Sequence, residues 1–276
     1  MNKRPSFRLR AVRQKEIATE SKHVFVFISV IAIMILIGDF LVFAYIENKE
    51  NWIIVTAMLI FLIALLPSMV LGGLPFEERY SRAGRALAIP AALSFSAVAL
   101  PSFGDSYVSA TALCILLACV LIFWQDKKVG LKMDGVPRVS FVLLLIVLPI
   151  ALAVNELVVV GSTVVSHFMQ GPPLWFMPVA ALFGYLEEIL FRGGVQQAIE
   201  SVREWRSALI IGALLDAGLM AFWGSVYVIV FTFVVAVIMG LIFHKYSTAS
   251  LCGLIRAVDG LWFVLIFYYF GSLSLT

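Results

Sequence analysis

Charge, histidine and cysteine are all scarce in this 276-residue sequence, and each scarcity excludes something. Asp, Glu, Lys and Arg make up 13% of the residues, whereas 62% are hydrophobic and the mean hydropathy is +1.02. A soluble domain carries about 25% charged residues, so a water-soluble globular enzyme is excluded. The three cysteines, Cys114, Cys119 and Cys252, lie in apolar stretches without metal-ligand spacing. They exclude a disulfide framework and a thiolate zinc site, and read as small core residues. The net charge of +3 is too small to suggest a nucleic-acid partner. The sequence also lacks fixed-period repeats, low-complexity tracts and any loop long enough to form a second domain.

What remains is apolar sequence in membrane-length blocks. Stretches of about 17 to 25 residues suit a transmembrane helix, and nine candidates occur: 23–46, 52–73, 86–103, 107–124, 139–165, 174–191, 207–223, 225–243 and 248–272. The third is the weakest, because Pro90 and Pro101 interrupt it. These prolines, like Pro172 and Pro173, read as helix ends and kinks. The expected fold is an all-α polytopic membrane bundle of eight or nine transmembrane helices. It comprises a basic arm (1–22), N-terminal helices (23–165) and a C-terminal core (174–272). The first 22 residues are polar and basic, and the following apolar run is too long for a signal-peptide h-region, so it is expected to remain as an anchor.

Cation placement tests this division independently. With the N-terminus inside, 18 of the 20 Lys and Arg residues fall on one side: in the arm, in 77–85, in 127–138, in 192–206 and at Lys245. Lys49 lies opposite and Arg256 lies within the last span. The positive-inside rule therefore places the N-terminus in the cytoplasm, and the absence of a targeting segment suits a prokaryotic cytoplasmic membrane. The arm serves as a topological signal or contacts anionic head groups.

Ionisable residues enter the membrane unevenly. The second, third and fourth stretches contain none. Asp39 lies in the first, Glu156 in the fifth, Glu187 and Glu188 in the sixth, Asp216 in the seventh, and Arg256 with Asp259 in the ninth. Each unpaired charge at such depth costs about 2.5–3.5 kcal/mol or more, so the C-terminal half must enclose a polar interior. At about 1.5 Å per residue, Glu188, Arg192, Asp216 and Arg256 all fall between the cytoplasmic surface and the midplane. A shared pocket follows from this arithmetic. Asp39 and Glu156 read first as helix-packing or cavity-facing groups, and the aromatic run 261–270 as lipid-facing.

The densest chemistry is in Tyr185-Leu-Glu-Glu-Ile-Leu-Phe-Arg-Gly-Gly194. Glu188 and Arg192 have the i,i+4 spacing of a helical ion pair, which leaves Glu187 as the less neutralised acid. A desolvated carboxyl group of this kind can take a proton from water during hydrolysis.

This segment resembles the EExxxR signature of the CPBP (Abi) family, which includes the CAAX-processing endopeptidases and the bacteriocin-processing and immunity proteins. The stretches 205–222 and 240–260 resemble the family's second and third conserved spans, so the resemblance covers about residues 174–262. It implies an intramembrane endopeptidase with Glu187 as catalytic base, supported by Glu188 and Arg192. The family pattern also has a histidine in FxxxH and another in HxxxN or HxxxD. Here Asp216 and Met220 stand at the Phe and His of the first motif, and Arg256 at the nearest equivalent of the second, followed by Asp259. His23, His167 and His244 are not at those positions, and His244 reads as an interfacial residue.

Two arrangements of the altered residues follow. In one, Glu187, Asp216, Arg256 and Asp259 form a rearranged site in which Arg256 stabilises an oxyanion. In the other, Arg256 and Asp259 neutralise each other and Asp216 pairs with the nearest cation. The sequence requires no cofactor and leaves a divalent metal open, without the usual histidine ligands. Three functions remain: peptide-bond hydrolysis in the membrane, inactive binding of a membrane-associated peptide or prenylated or partner protein, and transport. The lipid bilayer is the expected surrounding partner. Transport suits the sequence least, because the acids sit at one helix end and not along a transmembrane track.

Overall fold

The computed structural model describes residues 22–73, 78–99, 138–159, 177–223 and 225–273, and every regular element among them is helical. Helix α1 is Lys22–Asn48, α2 Asn51–Gly73, α3 Glu78–Ala99 and α4 Arg138–Val159. Helix α5 starts as Met177–Glu188, widens into a π-helical segment at Ile189–Gln196 and ends in the α turn Gln197–Glu200. Helix α6 is Trp205–Leu219, closed by a 3₁₀ turn at Met220–Trp223. Helices α7 and α8 are Val226–Tyr246 and Ala249–Leu273.

The exterior is that of a membrane protein. Val26, Ile33, Ile37, Phe40, Leu59, Leu66, Val230 and Val234 are large apolar residues left exposed on α1, α2 and α7, where lipid satisfies them and water would not. Helix α7 is rich in β-branched residues that ordinarily disfavour helix. In hydrocarbon the backbone has no water to bond, and only the internal bonding of a helix satisfies it. Among the described residues, four helices are long and apolar enough to cross a membrane, at Phe25–Ile46, Asn51–Met69, Val226–Tyr246 and Ala249–Ile266, and a shorter apolar helix covers Val142–Asn155.

Two expected connections prove to be partly helical. The segment 74–85 is helix from Glu78 onward, and 192–206 contracts to Ser201–Glu204 because α5 continues to Glu200. Arg192, counted above among the cytoplasmic cations, is fully buried. The expected span 107–124, the outer connections at 104–106 and 166–173, and His167 lie outside the described residues.

Packing divides the bundle into a layer of α1, α2 and α3 and a core of α4 to α8. Helix α8 lies against α5 and α4, α6 against α7, and contacts of α6 with α1 and α3 join the two parts. Several helix ends meet at one end of the bundle. The Arg203 guanidinium sits 4.0 Å over the Phe25 ring, and Trp205 stacks on His244 with ring centroids 4.2 Å apart. Helix α7 stops there because Ser247 turns left-handed (φ 54°) while its N–H bonds Phe243 O.

The α5–α8 crossing is close because both helices present glycine. A Cβ on Gly184 would lie 2.8 Å from the Arg256 carbonyl oxygen, and one on Gly253 would lie 2.8 Å from the Tyr185 ring. Small residues of this kind let membrane helices approach backbone to backbone, and here they bring Arg256 beside the Glu pair.

Candidate functional site

The candidate residues occupy the inner faces of α5, α6 and α8. Glu187 and Glu188 end the α-helical part of α5, and Arg192 follows inside the π segment, whose eight residues are all buried. Such a wide turn is rare and often marks a functional position. Arg192 Nε donates to Glu188 Oε2 at 3.0 Å, which is the i,i+4 pair expected from sequence. Its Nη2 donates to Asp216 Oδ2 on α6 at 2.5 Å. Arg192 therefore clamps two helices from a fully buried position.

Arg256 on α8 approaches the other side of the acid pair. Its Nη2 lies 3.6 Å from Glu187 Oε2 and its Nε 3.9 Å from Glu188 Oε1. Its Nη1 also donates to Asp259 one turn further along α8. Six residues thus form one continuous ionic cluster: four carboxyl groups around two guanidinium groups. All but Arg256 are buried; its side chain is 15% exposed, which makes it the route by which anything outside can reach the group.

The sequence expectations meet here in part. Glu187, Glu188, Arg192, Asp216, Arg256 and Asp259 do come together in one cluster. The Arg256–Asp259 pair and the pairing of Asp216 with a nearby cation are both present. Arg256 in addition bridges to Glu187 and Glu188. Met220, at a family histidine position, opens the 3₁₀ turn after α6 and is half-buried. His244 is exposed at the end of α7, in the aromatic stack with Trp205 and not in the cluster. His23 lies in the first turn of α1, and Glu156 is placed on α4.

Asp39 is buried on α1 and packs against Gly218 of α6, where a Cβ would lie 2.5 Å from its Oδ2. Gly218 is two residues, about 200° around the helix, from Asp216. Asp39 therefore belongs to the α1–α6 interface and faces away from the cluster's side of α6.

Sequence reasoning missed the continuation of the polar face. Gln196 is fully buried; its Nε2 donates to Glu200 Oε1 at 3.0 Å and to Gly240 O on α7 at 3.2 Å. Glu188, Arg192, Gln196 and Glu200 form a ladder at intervals of four, from the buried cluster to the surface end of α5. The spacing was available in the sequence, but an expected loop at 192–206 concealed it. Burial raises the Glu200 carboxyl above its ordinary range, opposed by the Gln196 hydrogen bond and by the charge of His244. Cys252, buried on α8 with its thiol toward Met239 O, packs in the same interior.

Residues 169–262 match the family model described as type II CAAX prenyl endopeptidase Rce1-like. Over that segment the chain is CAAX-protease-like. The match covers α5, α6, α7 and the part of α8 that carries Arg256 and Asp259, and so includes the whole ionic cluster. No curated protein and no solved structure matches the chain. Among the described residues, no group of three or more His, Cys, Asp or Glu side chains is placed to hold a metal ion. The carboxylates of Glu187, Glu188, Asp216 and Asp259 instead face guanidinium groups, an arrangement that does not fit a metal.

Proposed function

We propose that this CAAX-protease-like membrane protein holds a membrane-associated peptide at the Glu187–Arg256 cluster without cleaving it. The observation that carries this reading is the position of Arg256, which contacts both members of the Glu pair and Asp259. A general base must accept a proton from water, which requires a carboxylate facing water within hydrogen-bond reach. Here a permanent cation lies 3.6 Å from Glu187 Oε2 and favours its keeping the charge over taking a proton. At the two family histidine positions, neither Met220 nor Arg256 can pass a proton to a leaving amine near neutral pH. The partly exposed Arg256 offers a binding contact for peptide carbonyl or carboxylate groups.

Hydrolysis is the second reading, favoured by the convergence of Glu187, Asp216, Arg256 and Asp259. In it Glu187 activates water and Arg256 stabilises the oxyanion. Proteoliposomes carrying the full chain, incubated with a prenylated CAAX peptide bearing a photo-crosslinker, distinguish the two. Binding predicts crosslinked, intact peptide, with the crosslink lost in Arg256→Gln. Peptide cleavage that disappears in Glu187→Gln would establish hydrolysis in its place.

A further inference from the structure

A cleft of about 340 Å³ opens between α4 and α7, far from the ionic cluster in its chemistry. Leu143 and Leu144 form one wall, Leu241 and Ile242 the other, and Lys245 and Tyr246 the mouth. The size is at the lower end for a small-molecule site. Leu143 is 54% exposed and Leu241 47%, so the walls face the surroundings and not a sealed interior.

The surrounding residues fix the depth of this cleft. Its mouth lies at the last turn of α7, beside His244, which stacks on Trp205. Trp and Tyr concentrate at the membrane–water interface, and the exposed Lys245 ammonium sits 5.1 Å over the Tyr246 ring. Arg206 lies 5.5 Å over the Trp205 ring at the same end. One turn inward, the cleft is lined only by Leu and Ile. An occupant of this cleft meets apolar side chains at the inner end and a cation at the interface.

We infer that this cleft holds one acyl chain of an anionic phospholipid, with its phosphate on Lys245. The charge of the mouth selects the head group. A basic side chain at the membrane surface favours anionic over neutral lipid, while the leucine walls contribute only apolar burial and accept any acyl chain. The site lies on the outward face of α4 and α7, separate from the α5–α6–α8 cluster, so the inference is independent of whether the cluster binds or cleaves peptide.

The test uses the full chain in nanodiscs of equal phosphatidylglycerol and phosphatidylcholine, released into the gas phase for native mass spectrometry. Wild type should retain one phosphatidylglycerol in preference to phosphatidylcholine. Lys245→Gln should cut that preference about fivefold, whereas Leu241→Trp, which fills the cleft from an exposed position, should reduce retention of both lipids. Circular dichroism of each variant checks that the helical fold is unchanged. Equal retention of the two lipids by wild type would overturn the inference, as would both folded variants retaining phosphatidylglycerol like wild type.

Discussion

Arg192 and Asp216, 24 residues apart in sequence, are joined by a 2.5 Å hydrogen bond between fully or nearly fully buried side chains. The bond ties α6 to α5, and Glu188 shares the same guanidinium. Removing the cation takes from Asp216 its hydrogen-bond partner and leaves Glu188 only the 3.9 Å approach of Arg256. Arg192→Met should destabilise the protein by about 3–5 kcal/mol, read as a shift in denaturant-induced unfolding. Adding Asp216→Leu and Glu188→Leu should recover much of that loss; a triple variant no more stable than Arg192→Met would show that the ion pairs are not its source.

The α5–α8 contact gives a steric prediction. Gly184→Ala places a methyl 2.8 Å from a backbone oxygen of Arg256, which cannot swing away as a side chain can. The helices must separate, at about 1–3 kcal/mol, and the Arg256–Glu187 contact should weaken with them. Gly212→Ala is the control: its nearest contacts are at 3.7 Å, on Arg192 Nη1 and Gln196 Cβ. Its melting temperature should stay near that of wild type.

Gly218 and Asp39 predict coupling between the two parts of the bundle. Gly218→Ala should destabilise the protein because a Cβ would meet Asp39 Oδ2 at 2.5 Å. Asp39→Ala in the same chain should relieve part of the effect. A double-mutant cycle with a coupling energy above about 0.5 kcal/mol is the expected result; additive effects would place the strain elsewhere.

Glu200 gives the pH dependence. Its carboxyl is raised above the ordinary value of 4.5, chiefly by burial, so folding favours its protonated form. That contribution is fully present below the ordinary value and is lost as pH rises through the raised one. Glu200→Gln removes the titration while keeping an oxygen to accept from Gln196. Its stability relative to wild type should therefore increase as pH rises above the ordinary carboxyl value, and a constant difference would assign the effect to another group.

The sequence revealed the helical class, the Glu188–Arg192 pair and the convergence of Asp216, Arg256 and Asp259 through spacing and the cost of charge in lipid. It did not reveal that Arg256 would reach past Asp259 to the Glu pair. That contact depends on the backbone approach at Gly184 and Gly253, and helix periodicity carries no information on the distance between helices. Arg192 was misplaced for a related reason. Positive-inside reasoning treats an Arg after an apolar stretch as a surface marker, whereas here two acids hold it inside. Gln196 and Glu200 were missed because the expected sixth span ends at residue 191, where α5 instead widens into a π segment and continues to Glu200.

The burial of Arg192 also bears on how the chain enters its membrane. Helix α5 is absent from the four described helices apolar enough to cross alone. When it leaves the ribosome, Asp216 has yet to follow, and Arg256 with Asp259 comes later still. Until then Glu187 lacks the Arg256 contact and Arg192 lacks its second acceptor, so α5 is a poor candidate for release into hydrocarbon. Its integration must wait for α6 and α8, which makes the C-terminal core a unit of assembly as well as of structure: chains ending before Arg256 should leave α5 accessible to water-soluble reagents.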